Sequence, residues 1–366
     1  MYGPDGKRYT DLISGIGVSH LGHRHPKVVE AIVDQVSNRY MHLMVYGEFV
    51  QSPQVKLAEK LCSLLPQALQ SVYFTNSGAE ATEGVMKLAK RVTGRKGFVS
   101  CINSYHGSTQ GALSLMGNDF FKNKYTPLLP DVTHIRYNVE EDLQQITNDT
   151  AAIFIEAVQA EAGVIAGNKS YLQAVRKRCD ETGTMLVLDE IQTGMGRTGS
   201  LFAFEQFDFI PDVLLLGKAF GAGMPLAAFI SSRENMQTLS VDPPLGHITT
   251  FGGHPVCCAA ALAGLNVLLE NALVASVKQK EQMFKDKLKH TAIEEFRSAG
   301  LMMAVEFQSA AQCKKIIDKC IENGLVVDWF LFAPHYMRIA PPLVISEQQI
   351  EESCAVILRA IDDVAS

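Results

Sequence analysis

The sequence lacks several features that would send it to other classes of protein. None of its eight cysteines stands in a CxxC spacing, and all but the adjacent Cys257-Cys258 occur singly in apolar surroundings. We therefore expect reduced, mostly buried thiols in a cytoplasmic protein, not a zinc site or a disulfide framework. No apolar stretch approaches the ~20 residues of a membrane span. The opening Met1-Tyr2-Gly3-Pro4-Asp5-Gly6-Lys7-Arg8 has no hydrophobic signal core, so neither a membrane nor export is expected. There is no run of lysines and arginines long enough to form a phosphate-binding stripe, and the net charge of −6 gives no reason to expect nucleic acid. Repeats of fixed period and low-complexity segments are also missing, which excludes a solenoid. What remains is ordinary in bulk: 366 residues, 47% apolar and 20% charged, enough for two domains or one large α/β domain with an appendage. A soluble enzyme is the default class.

The pattern along the chain is more specific. Gly3-Pro4-Asp5-Gly6 reads as a turn, with Lys7–Ile13 as one arm of a hairpin. A helix is expected after Pro26, with Val28, Val29, Ile32, Val33 and Val36 on its apolar face. From about 53 to 231 strand-like and helix-like segments alternate, with strands expected at 71–76, 97–101, 132–136, 151–156, 185–190, 213–217 and 226–230. Such alternation argues for a mainly parallel sheet with helices on both faces. Cys257–Leu269 reads as a helix continuing into 276–290. Beyond it, short strands at 300–307, 324–328 and 336–339, with helices at 309–322 and 346–362, read as a smaller α+β domain. The expected division is a large α/β domain over 45–270 and a small domain built from 1–44 and 271–366.

Two strands end in charge. Met185-Leu186-Val187-Leu188 runs into Asp189-Glu190, and Val213-Leu214-Leu215-Leu216 runs through Gly217 into Lys218. Short branched apolar runs are what a strand covered on both faces requires. Parallel strands bring their carboxyl ends to one edge, where ligands bind, so Asp189 and Lys218 should share that edge. A carboxylate and a lysine at one crevice suit pyridoxal phosphate (PLP): lysine forms the Schiff base and the carboxylate pairs with the pyridinium nitrogen. A lysine ending a hydrophobic strand otherwise either reaches solvent or carries a costly buried charge.

Further candidates surround this pair. The strand at 71–76 runs into Ser77-Gly78-Ala79-Glu80, where Ser77 and Glu80 have capping-box spacing. The helix N-terminus that follows is either an ordinary capped end or a phosphate site, with Gly78 letting the backbone come close. Thr249-Thr250-Phe251-Gly252-Gly253 could complete a phosphate cup. Tyr105 reads equally as a ring to stack on the cofactor or as a loop aromatic. Gln192 is spaced to reach the cofactor's phenolic oxygen. Arg338 is a lone cation between apolar residues, suited either to a substrate carboxylate, with Glu161 as its partner when none is bound, or to an internal salt bridge.

Three patterns are decoys. Gly194-Met195-Gly196-Arg197-Thr198-Gly199 matches GxGxxG, but no helix opens within it. Gly217-Lys218 ends like a P-loop without its first glycine or its Ser/Thr. His20, His23 and His25 have no partner at metal-ligand spacing and read as turn and packing residues.

With these residues in view, the chain resembles the class III aminotransferases of the ornithine and acetylornithine type, in PLP fold type I. The resemblance spans nearly the whole length. It is carried by Leu21-Gly22-His23-Arg24-His25-Pro26, Asn76-Ser77-Gly78-Ala79-Glu80-Ala81, the motif from Leu188 to Gly199, Gly217-Lys218, Thr250-Phe251-Gly252-Gly253 and Arg338-Ile339-Ala340-Pro341-Pro342-Leu343. It implies that Lys218 and Asp189 are catalytic. It also implies that Ser77, Gly78, Ala79, Tyr105, His106, Glu156, Gln192 and Thr250 bind the cofactor, Thr250 reaching the phosphate of the neighbouring subunit. Arg338 and Glu161 match the family's switchable carboxylate-binding pair. A homodimer with shared sites, acting on small amino and 2-oxo acids, is implied as well.

Three departures stand out. The chain starts abruptly relative to the family's usual N-terminal segment, Ala157 replaces a common proline, and Ser108 stands where ornithine-type members often carry an arginine for the distal carboxylate. The expected activity is transfer of an ω-amino group to 2-oxoglutarate in two stages. The alternative on the same fold is an aminomutase or racemase, for which a pair able to switch between two substrates would be of little use.

Overall fold

The computed structural model describes residues 1–38, 43 and 49–365. The opening turn sets Tyr2 beside Arg8 in an antiparallel bridge. There follow a short strand β1 (Thr10–Asp11), a helical turn α1 (Ser14–Gly17) and helix α2 (Pro26–Ser37). Pro26 occupies the first turn of α2, where its missing N–H costs nothing. The apolar face of α2 is narrower than the sequence suggests: Val28 is buried, but Val33 and Val36 are each 52% exposed.

After α3 (Ser52–Leu64) come β2 (Ser71–Thr75), α4 (Gly78–Thr93), β3 (Gly97–Cys101), α5 (Gln110–Leu115), α6 (Asp119–Lys122), β4 (Val132–Ile135) and β5 (Thr150–Glu156). A ribbon of β6 (Val158–Gln159) and β7 (Ile165–Ala166) then precedes α7 (Lys169–Thr182), β8 (Met185–Asp189), β9 (Val213–Leu216), β10 (Ala227–Ser231) and α8 (Arg233–Gln237). All seven expected strands form, and they make one seven-stranded sheet in the order β2-β10-β9-β8-β5-β3-β4. Only β10 runs antiparallel to its neighbours. The central strands β5, β8 and β9 are buried along their whole length. Alternate residues serve the two faces: Phe154, Val187 and Leu215 pack towards α4, while Ile155, Leu188 and Leu214 join the core that includes α3 and α9 (Pro255–Glu270). This is the α/β layering that period-two burial on both sides dictates.

Helix α9 does not run on into the charged segment. Asn271 leaves the helical region and Ala272 adopts a positive φ of 48°, so α10 (Val277–Lys287) is a separate helix. The remaining chain supplies β11 (Phe296–Ala299), β12 (Met302–Glu306), α11 (Ala310–Glu322), β13 (Leu325–Val326), β14 (Asp328–Trp329), β15 (Tyr336–Ile339) and α12 (Glu347–Ala365). Four of these strands make an antiparallel sheet, β11-β12-β15-β14. Strand β11 was not expected; its Phe-Arg-Ser-Ala is partly exposed throughout and owes its extension to pairing with β12. From the N-terminal segment, β1 pairs in parallel with β13 while α2 packs on α9. The expected boundary between residues 44 and 45 lies outside the described residues. Among those described, no helix is long and apolar enough to cross a membrane.

The glycine-rich decoy turns out to hold these parts together. Arg197 is fully buried. Its Nε donates to His20 Nε2 (3.1 Å), and its Nη1 donates to the carbonyls of Leu301 (2.9 Å) and Pro341 (2.5 Å). His20 bonds in turn to the Met195 carbonyl through Nδ1 (2.9 Å). One guanidinium thus ties the loop after β8 to the N-terminal segment and to one end of the small sheet, where β12 begins and β15 ends. Burial holds its pKa down at about 9, against the pull of Asp11. Arg197→Leu would leave two buried carbonyls without donors and is expected to lower the unfolding free energy by on the order of 3 kcal/mol, read from chemical denaturation.

Candidate active site

Strands β8 and β9 are parallel neighbours, with Asp189 in register with Leu215. Their carboxyl ends therefore meet at one edge of the sheet. Asp189 is the last residue of β8, and Lys218 comes two residues after the end of β9. A cavity of about 500 Å³ opens there, lined by both residues together with Gly78, Ala79, Tyr105, His106, Glu156, Glu161 and Gln192. Lys218 takes a left-handed conformation (φ 47°), which costs a non-glycine residue about 1–3 kcal/mol and is characteristic of functional positions.

The carboxylate is tightly held. Asp189 Oδ1 accepts from the Ile191 N–H (3.0 Å), and Oδ2 lies 2.7 Å from His106 Nδ1. Burial opposes charge on the His106 ring, yet the hydrogen bond and the charge of Asp189, with Glu156 beyond, raise its pKa above the ordinary value. His106 Nε2 is buried and has no partner among the described residues. Glu156 accepts from the N–H groups of Tyr105 (3.0 Å) and Ala160 (3.2 Å). Burial nevertheless pushes its carboxyl up to about 7, partly offset by His106. Lys218 touches the cavity but is otherwise enclosed by protein, and burial lowers its pKa although Asp189 and Glu161 pull the other way. Behind it, a Cβ on Gly17 would stand 3.4 Å from Gln192 Cγ and 4.0 Å from Lys218 Cδ, so the N-terminal segment walls the site.

The first two residues of α4, Gly78 and Ala79, line the cavity, and their N–H groups have no partner within the helix. Two glycines are needed to bring this end so close. A Cβ on Gly78 would come 2.6 Å from Ile191 Cδ1, and Gly107 combines a φ of 128° with a Cβ position 2.7 Å from Ala79 Cβ. Ser77 caps the helix, its Oγ accepting from the Glu80 N–H (3.2 Å), but it is not among the residues lining the cavity. The Glu80 carboxylate reaches one residue further back than a capping box requires, to the N–H and side-chain amide of Asn76 (2.8 and 2.9 Å). Thr250 lies outside the cavity and is exposed. The loop before it is pinned by Arg91 to the carbonyls of Thr238, Val241 and Asp242, and by Tyr73 to that of His247. It leaves Leu245, Ile248 and Phe251 exposed.

At the far side, the hydroxyls of Tyr105 and Ser108 are 2.9 Å apart. Arg338 sits behind Glu161 and grips it with two hydrogen bonds, Nη1 to Oε1 (3.1 Å) and Nη2 to Oε2 (2.9 Å), both side chains being buried. The sequence reading missed Asp328, whose Oδ1 lies 3.2 Å from Arg338 Nε. Only the cross-strand register of β14 and β15, which sets Asp328 directly opposite Arg338, could have revealed it. Of the decoy histidines, His23 pairs with Asp11 (2.9 Å) and His25 precedes α2.

The donor set fits PLP. A cavity of this size holds a lysine, a buried carboxylate braced by a histidine and able to face a pyridinium nitrogen, and free helix N–H groups able to take a phosphate. Fold and site together define a PLP-dependent transferase of fold type I. The family model for class-III aminotransferases matches residues 1–361, and the chain belongs to that family; it is a PLP-dependent transaminase. It is 38% identical to acetylornithine aminotransferase of Methanocaldococcus jannaschii, over 100% of this chain and 90% of the relative. Two crystal structures of ornithine aminotransferase from Toxoplasma gondii superpose with TM-scores of 0.91 and 0.90. Each is 29% identical and covers 100% of this chain and 88% of that one. The second has PLP at partial occupancy at its active site.

A pH dependence follows from Glu156. Folded, it keeps its proton up to about 7, whereas the unfolded chain releases it near 4.5. The folded state therefore binds more protons across that window, and stability falls as pH rises from 4.5 to 7. In the cofactor-free protein, Glu156→Gln should flatten this decline, as urea denaturation at pH 5, 6, 7 and 8 would show.

Proposed function

We propose that the chain moves the ω-amino group of an ornithine-, acetylornithine- or 4-aminobutyrate-like donor to 2-oxoglutarate, in two half-reactions at one site. The observation that carries this reading is the buried Glu161–Arg338 pair bordering the cavity. An ω-amine can enter with the pair closed, while a dicarboxylic oxo acid can take the place of Glu161 on the guanidinium fork, which suits a carboxylate in bidentate fashion. One site then serves two substrates of different charge.

PLP, when bound, supplies the electron sink that makes a proton on the donor carbon removable. Lys218 is assigned the covalent attachment of the cofactor and, once released, the proton transfer at the reacting carbon. Its lowered pKa favours the neutral amine that both tasks need. Asp189, braced by His106, is assigned to the ring nitrogen, Gln192 to the ring oxygen and Tyr105 to the ring face. The N–H groups of Gly78 and Ala79 take the phosphate, with Ser77 fixing the helix start. Glu156 orders the backbone of Tyr105 and Ala160 around the ring.

We read the molecule as a homodimer. Thr250, outside its own cavity and flanked by exposed Ile248 and Phe251, suits a reach to the partner's phosphate. The large domain over 45–270 would carry the cofactor and the small domain from 1–44 and 271–366 the acceptor's carboxylate. Eight free cysteines suit a cytoplasmic setting.

The test is a spectral single-turnover screen of holoenzyme with ornithine, acetylornithine, 4-aminobutyrate, putrescine and common α-amino acids, followed by assay for glutamate after adding 2-oxoglutarate. Cofactor conversion by an ω-amine and glutamate formation are expected; no glutamate from any donor would refute the reading. Lys218→Ala should slow the donor half-reaction by a factor of roughly 10³ or more. Thr250→Ala should weaken PLP binding about tenfold while leaving sedimentation as a dimer intact.

A further inference from the structure

Arg338 faces one carboxylate more than its charge requires. Its Nη1 and Nη2 are taken by Glu161, and its Nε edge lies 3.2 Å from Asp328 Oδ1. The guanidinium is also held by the Trp329 carbonyl (Nη2, 3.1 Å) and lies over the Phe330 ring, 4.6 Å from its centroid. Strand pairing fixes this arrangement, because β14 sets Asp328 opposite Arg338 on β15. The contact with Asp328 differs in kind from that with Glu161. Nε and Oδ1 are close enough for an ion pair, yet both are buried without a directed hydrogen bond among the described residues. A small turn of the guanidinium would align them.

We infer that Asp328 is a positioning residue for acceptor binding: it holds the Nε edge of Arg338 while the Nη edge exchanges Glu161 for the acceptor's carboxylate. The inference rests on the proposed role of Arg338. Arginine has a long side chain with much rotamer freedom, and a guanidinium that loses its only carboxylate is free to follow it. A second carboxylate anchored on a strand removes that freedom. It also makes the closed state less comfortable, since two anions share one buried cation. Burial pushes the Asp328 carboxyl up to about 6 against the pull of Arg338, with Glu161 and Asp11 adding to the rise, as expected of a crowded anion. Glu161 also accepts from the Leu331 N–H (3.2 Å from Oε2), so the guanidinium is not the sole group that holds it. When the pair opens, Arg338 keeps Asp328 beside it.

The experiment separates the two half-reactions in stopped flow on holoenzyme. In Asp328→Ala, the apparent affinity for 2-oxoglutarate should fall about tenfold, while the amine-donor half-reaction stays within about twofold of wild type. Asp328→Asn, which retains an acceptor oxygen at the same place, should recover most of the loss. Equal losses in both half-reactions, unchanged acceptor affinity, or an Asn variant as poor as Ala would overturn the inference. Calorimetric binding of glutarate, a dicarboxylate that cannot react, gives a second reading independent of turnover. The same tenfold loss in Asp328→Ala is expected, and unchanged glutarate affinity refutes the placement. If wild-type enzyme completes the donor half-reaction but binds glutarate and ignores 2-oxoglutarate, the proposed acceptor is wrong, and the glutarate comparison alone decides the role of Asp328.

Discussion

Everything at the site depends on β8 and β9 being parallel neighbours in register. Both faces of these two strands are packed, so a shift of one residue would exchange side chains between two apolar layers and spoil the fit of each. That rigidity sets where Asp189 and Lys218 emerge. The surrounding loops need only small adjustments, a left-handed Lys218 after β9 and a glycine at 107 after β3, to complete the cavity. The site is thus fixed by the fully buried centre of the large sheet.

Buried charge is the second organising theme. Asp189, His106, Glu156, Glu161, Arg338 and Arg197 are all nearly inaccessible. Each would be costly alone, and each is held by partners of a different kind. Asp189 has a backbone N–H and an imidazole, Glu156 has two backbone N–H groups, and Arg338 has two carboxylates, a carbonyl and an aromatic face. Where the partners are neutral dipoles the charge is stationary. At Arg338 the partners are opposite charges, the kind of contact that the proposed exchange of carboxylates requires.

The sequence made the large sheet legible because fully buried strands write themselves as short branched runs, and because a charge at the end of such a run has few explanations. Lys218 and Asp189 were readable for that reason, and the structure brings them to one cavity. Features that depend on pairing between distant segments were not readable. Strand β11 has no apolar pattern of its own, and Asp328 looks like any carboxylate at the end of a strand until β14 is laid against β15. The break between α9 and α10 was hidden by a run of residues that all tolerate helix, Asn271-Ala272-Leu273-Val274-Ala275-Ser276. Val33 and Val36 follow helical spacing, yet the element they face covers only part of α2. The Glu80 carboxylate chose Asn76 over Ser77, a matter of local geometry that spacing alone does not resolve.

Arg197 addresses carbonyl oxygens and one imidazole, and none of its close contacts is a carboxylate. Its grip therefore specifies the path of the backbone at Leu301 and Pro341 and is indifferent to which side chains those positions carry. Sequence drift in the small sheet can proceed without loosening the junction, provided the two carbonyls stay where they are. Such a fastening lets the side chains of the small sheet diversify while its attachment to the loop after β8 stays the same.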